Sequence, residues 1–132
     1  ITYAGSYKNN IGGNLPYGYG TEEFSNFNSN FKFIISMENS IEETYITEKI
    51  CHGINAKNIP IYWGTDKVKD YFNIDRYVLV DDKDYNKTLK EIRELYTNES
   101  KWLNMVNQPT FTNNKLCISF DNIVEDMKKI IT

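Results

Sequence analysis

Phe31–Ser40 reads FKFIISMENS and Tyr45–Gly64 reads YITEKICHGINAKNIPIYWG, and the way these two stretches are joined decides the fold. Phe31–Met37 is short, β-branched and aromatic, and polar NSN and ENS bound it, which predicts a strand buried on both faces. Ile59–Trp63 is a second run of the same kind, closed by Gly64. From Tyr45 the spacing between them turns helical: Ile46, Ile50 and Ile54 gather on one side, while Tyr45, Glu48, Lys49 and His52 fall within about 100° of one another on the other. A strand, a two-faced helix and a second strand form a βαβ unit, whose strands lie parallel with the helix crossing over between them.

Further along, RYVLVDD (Arg76–Asp82) predicts a third strand. TDKVKDYF before it predicts a short helix capped by Thr65. DYNKTLKEIRELYTN sets Leu89, Ile92, Leu95 and Tyr96 at helical intervals, and ESKWLNMVNQ reads as another helix, stopped by Pro109. SFDNIVEDMKKIIT, capped by Ser119, is the clearest amphipathic helix. The chain is therefore of the α/β class, a mostly parallel sheet flanked by helices. Only the opening GSYKNNIGGNLPYGYG, rich in Gly and Asn, lacks any periodicity, as a binding loop would.

With 132 residues the chain is one domain. Its 15 basic and 18 acidic residues give a net charge of -3, so it offers no basic surface for nucleic acid and no polybasic membrane anchor. An anionic ligand must be held by a local cluster. Cys51 and Cys117 lack metal-site spacing and read as two unpaired thiols. No apolar run reaches the roughly 18 residues of a membrane span. The opening ITYAGSY reads as a strand already under way, so the expectation is a single domain, residues 1–132, within a longer chain.

Parallel sheets bind ligands beyond the carboxyl ends of their strands, and the Tyr45 helix starts there, directly after ENSIEET. Unpaired N–H groups at its start and the ammonium of Lys49 suit a phosphate. Spacing alone fits a solvated Glu48–Lys49 face even better, because surface helices carry such pairs routinely. His52, a lone imidazole, reads as structural or as support for a ligand-binding neighbour. The glycine-rich loop would bring Lys8, yet it has neither a Walker pattern nor G-x-G-x-x-G after a strand. The residues themselves lead to an anion or nucleotide pocket.

The motifs FKFIISMENS, YITEKI and IPIYWG, in this order and at these separations, resemble the donor-binding half of the α-1,3-fucosyltransferases of glycosyltransferase family 10. The likeness extends more weakly from GSYKNNIG to about Gln108. It implies a Rossmann-like parallel sheet flanked by helices, the C-terminal half of a GT-B glycosyltransferase, and inverting transfer of fucose from GDP-fucose to a hydroxyl of a glycan acceptor.

On the resemblance, Lys49 neutralises the pyrophosphate and Glu48 bonds the ribose hydroxyls. Asn39 and Tyr45 line the donor site, and Glu38 lies near the fucose or braces the turn. Lys8 stands where the family commonly has Arg, giving charge without the bidentate fork. No cofactor or metal is implied, and the general base belongs to the other half. Membrane association would come only through parts outside this chain. The location would be cytoplasmic or membrane-associated for a bacterial or viral source, and Golgi for a eukaryotic one. The alternatives are a related transferase using another nucleotide sugar and a noncatalytic nucleotide-binding module.

Overall fold

A computed structural model describes residues 1, 2, 4, 8–114, 124 and 127–129. Three parallel strands, β1 (Phe33–Met37), β2 (Ile59–Trp63) and β3 (Val78–Leu79), form one sheet in that order. The register pairs Phe33 with Ile59 and Met37 with Trp63, then Ile61 with Val78 and Tyr62 with Leu79. Pro60, which has no N–H to donate, sits one residue before the β3 ladder begins. The expected third strand is thus only two residues long.

Among the described residues the sheet is flanked by α1 (Glu22–Asn28), α2 (Lys49–Asn55), α3 (Tyr85–Thr97) and α4 (Glu99–Val106). On one face Ile50 and Ile54 of α2 pack with Tyr62, Val68, Phe72 and Tyr77. On the other, Ile59 and Val78 are covered by Leu95 of α3, with Trp102, Met105 and Val106 of α4 beside it. Gly53 lets α2 lie this close, because a Cβ there would come within 2.3 Å of the Ile34 side chain. Arg76, almost completely buried, pins the far end of α2 by donating to the carbonyls of Asn58 (2.7 Å) and Ile54 (3.4 Å). Burial lowers the pKa of that guanidinium.

Several expectations are corrected. The helix expected from Tyr45 starts at Lys49, because the Thr47 N–H donates to the Glu38 carboxylate at 2.8 Å instead of to a helical carbonyl. β1 is not buried on both faces: Ile35 and Met37 are 56% and 51% exposed, since β1 stands at the end of the strand order among the described residues and the helices of that face sit over β2 and β3. Leu89 and Tyr96 of α3 are also exposed, because the short β3 gives that helix little sheet to cover. α1 was not anticipated, although Thr21 caps it by accepting from the Phe24 N–H and Glu22 and Glu23 fill its first turn. The Thr65-capped helix is a 3-10 turn, Asp66–Asp70. The C-terminal amphipathic helix falls largely outside the described residues, as does Cys117; Cys51 is a free thiol whose pKa burial raises.

Candidate functional site

Beyond the carboxyl end of β1 the chain makes one more sheet-like bond, Glu38 N–H to the Trp63 carbonyl at 2.9 Å, which carries Glu38 to the junction of β1, β2 and the start of α2. Its carboxylate is 0% exposed and gathers four donors. Oε1 accepts from the Thr47 N–H at 2.8 Å and from the Tyr62 hydroxyl at 3.3 Å. Oε2 accepts from the Thr47 hydroxyl at 2.7 Å and from Lys49 Nζ at 3.1 Å. Lys49 Nζ also donates to Thr47 Oγ1 at 3.3 Å, and its side chain stays 31% exposed. Two of the three ammonium directions are therefore taken by protein acceptors, which fixes the charge at the rim of the sheet.

Burial pushes the Glu38 carboxyl upward, but the bonds from Thr47 and Lys49 outweigh it and hold the group below the usual carboxylate range. The same bond from Lys49 to Glu38 raises the ammonium above its ordinary value against a desolvation penalty, and the charges of Tyr45 and Glu48 add to it. Gly64 closes the corner. A Cβ there would stand 2.5 Å from the Tyr62 hydroxyl and 2.9 Å from Glu38 Cγ.

Of the six residues singled out from the sequence, Glu38 and Lys49 come into direct contact. Glu38 accepts from both the N–H and the hydroxyl of Thr47 in the turn before α2. Tyr45 is half-buried in the turn before α2, and Glu48, exposed, is the N-cap residue of that helix but makes no side-chain cap bond. Asn39 is exposed, one residue past Glu38. Lys8 is exposed on the opening loop, at a left-handed φ of 46°. His52 packs against Phe24 of α1 and under Tyr19, whose ring lies parallel to it within 9°, so it ties loop and helix together.

The sequence reading offered the N–H groups at the start of the helix to an anion. That of Thr47 is already taken by Glu38, and that of Lys49 by Thr47 Oγ1 at 3.5 Å. With α2 only seven residues long, an anion here would be met by the ammonium of Lys49 more than by a helix terminus. Thr47, Tyr62 and Gly64 were missed. Thr47 stands inside the quoted YITEK, but its partner lies 9 residues away, and Tyr62 meets Glu38 across 24. Among the described residues no group of three or more His, Cys, Asp or Glu side chains is placed to hold a metal ion, and no helix is long and apolar enough to cross a membrane.

The family profile described as "Glycosyltransferase family 10 (fucosyltransferase) C-term" matches residues 5–122. The chain belongs to this family. It is 33% identical over 107 residues to the alpha-(1,3)-fucosyltransferase FucT of Helicobacter pylori, covering 80% of this chain and 21% of that protein. It is 31% identical over 106 residues to the mouse 4-galactosyl-N-acetylglucosaminide 3-alpha-L-fucosyltransferase 9, covering 72% of this chain and 30% of the relative. Solved structures of an alpha1,3-fucosyltransferase with GDP and with GDP-fucose each superpose on 98% of the family 10 chain with a TM-score of 0.83 at 30% identity. The match takes in 38% of each. The parallel sheet with flanking helices is thus the GT-B type of fold seen in these enzymes, and the chain spans between about a fifth and a third of the curated relatives' length.

Proposed function

We propose that the chain binds GDP-fucose and serves as the donor-binding part of an inverting fucosyltransferase. The observation that carries this reading is the fixed, half-open ammonium of Lys49 at the carboxyl end of a parallel sheet, in a chain whose fold superposes on transferases holding GDP and GDP-fucose. Lys49 meets the pyrophosphate, with Lys8 as a second cation. Glu48 bonds the ribose hydroxyls, and Asn39 and Tyr45 line the donor. Glu38 works from behind, holding Lys49 and the turn.

As the bond to fucose breaks, the sugar takes on oxocarbenium character and GDP gains negative charge. A cation already fixed beside the pyrophosphate stabilises that state more than the ground state and needs no reorganisation. The acceptor hydroxyl loses its proton to a general base that lies outside these 132 residues. The mouse relative's name specifies a galactosyl-N-acetylglucosaminide acceptor, and we extend that class, a neutral glycan, to this chain.

The test is a melting series with GDP, UDP and ADP at matched concentrations. A ligand at 100 times its dissociation constant that binds only the folded state adds about 2.7 kcal/mol of stability. GDP is expected to raise the melting temperature well above the other two; an equal response to all three contradicts guanine recognition.

A further inference from the structure

Aromatic rings fasten the glycine-rich opening loop to the helices. Tyr19 at the end of the loop, Phe24 on α1 and His52 on α2 meet in a group of three, with centroid separations of 5.3 Å (Tyr19–Phe24), 5.4 Å (Phe24–His52) and 6.1 Å (Tyr19–His52). These are the distances of paired aromatic rings. Phe24 is buried and forms the base of the group, while Tyr19 is 83% exposed and lies flat over the imidazole. Tyr17 fastens the same stretch to Phe27 of α1 at 6.2 Å.

The place of His52 on α2 gives the stack its meaning. It follows Lys49 by one turn on the same side of the helix, so the ring under the loop and the ammonium offered to the pyrophosphate ride on one element. Bonds inside the loop do a different job. Asn10 Nδ2 donates to the Ile1 carbonyl at 2.9 Å, the Gly12 N–H to Asn9 Oδ1 at 3.0 Å and the Thr21 hydroxyl to the Gly18 carbonyl at 2.9 Å, all within the opening segment. They shape the loop without tying it to α2. Gly20, between Tyr19 and the cap of α1, holds a φ of 80°, and a Cβ there would meet nothing within 4 Å, so packing does not fix this turn. A loop that must be ordered when its ligand arrives costs affinity, and one held in place beforehand does not.

We propose that His52 is a positioning residue: stacked under Tyr19, it holds the opening loop, and Lys8 with it, ready for the pyrophosphate that Lys49 meets. His52 has this role only in a chain that binds GDP-fucose as proposed above. The sequence left His52 open between a structural part and support for a ligand-binding neighbour, and the stack selects support.

The test is a double-mutant cycle of His52→Ala and Lys8→Ala read by calorimetric titration with GDP, together with the rate of trypsin cleavage after Lys8, followed by mass spectrometry without nucleotide. His52→Ala should weaken GDP binding roughly three- to tenfold and speed the cut. Tyr19→Ala, at an exposed position that folding does not depend on, should do the same, and Tyr19→Phe, which keeps the ring, should match the parent in both. In the Lys8→Ala background His52→Ala should weaken GDP binding little further, because no charge is left to place. Parental GDP binding by both His52→Ala and Tyr19→Ala, an unchanged rate of cleavage in both, or a His52→Ala loss that persists in full without the Lys8 ammonium overturns the proposal. A parent that binds no GDP strikes the donor reading, and the purpose of the loop with it, while the cleavage rates still decide whether the stack holds the loop.

Discussion

Lys49–Glu38 and Lys69–Asp66 are ion pairs with the same N–O separation, 3.1 Å, yet they do different things in the molecule. Lys69 and Asp66 are 51% and 69% exposed, neighbours on a single 3-10 turn, and water competes for both. Glu38 is fully covered, and its carboxylate also holds the backbone N–H and the hydroxyl of Thr47 and the hydroxyl of Tyr62, 9 and 24 residues away in the chain. Both carboxyls lie below their ordinary range, Asp66 chiefly through Lys69, Glu38 against the penalty of its burial. The distance between charges says little; what else the carboxylate organises decides its worth.

The largest effect should therefore come from Glu38→Ala. It strips the Thr47 N–H and the Tyr62 hydroxyl of their acceptor and leaves Lys49 without its counter-ion. A loss of about 3 kcal/mol is expected in urea unfolding. A loss below about 1 kcal/mol would mean that the buried pair behaves like the exposed one. Acid should expose the same group. Because folding lowers the Glu38 pKa, its stabilisation is present above the unfolded value of 4.5 and disappears as pH falls through the lower folded value. Stability measured from pH 6 downward should fall more steeply in the parent than in Glu38→Gln; parallel curves would remove Glu38 from the account.

Gly64→Ala comes next. Its methyl presses on the Tyr62 hydroxyl and Glu38 Cγ, so a cost of about 1–3 kcal/mol is expected, with loss of GDP affinity as the corner shifts. Unchanged stability would show that the corner gives way easily. Smallest of all, Lys69→Ala should leave the urea midpoint where it is, and a clear shift would undo the contrast between the two pairs.

Much of this was legible locally. Ile59–Trp63 is the strand that its β-branched residues and closing glycine announce, and Ile50 and Ile54 face the sheet as their spacing requires. The start of α2 was misread because helical spacing does not reveal which acceptor a given N–H will choose, and Glu38 outcompetes the helix for Thr47. α1 carries a readable cap at Thr21 and acidic residues after it, but it follows directly on a Gly- and Asn-rich loop that hides the signal. The site was legible to the extent that its residues share one motif. Lys49 stands in YITEK, whereas the Tyr62 and Gly64 contacts exist only after β1 and β2 pair. The stack of Tyr19 on His52 joins the opening loop to α2 and had no local signature.

The central claim is that Lys49 is a fixed cation for the pyrophosphate. Calorimetric titration of Lys49→Ala with GDP tests it directly, beside Lys57→Ala, a lysine beyond the end of α2, and after urea unfolding has confirmed that both variants are folded. Loss of a charge-assisted contact should weaken GDP binding by roughly ten- to a hundredfold, about 1.5–3 kcal/mol, while Lys57→Ala binds as the parent does. A folded Lys49→Ala that binds GDP with parental affinity would contradict the account.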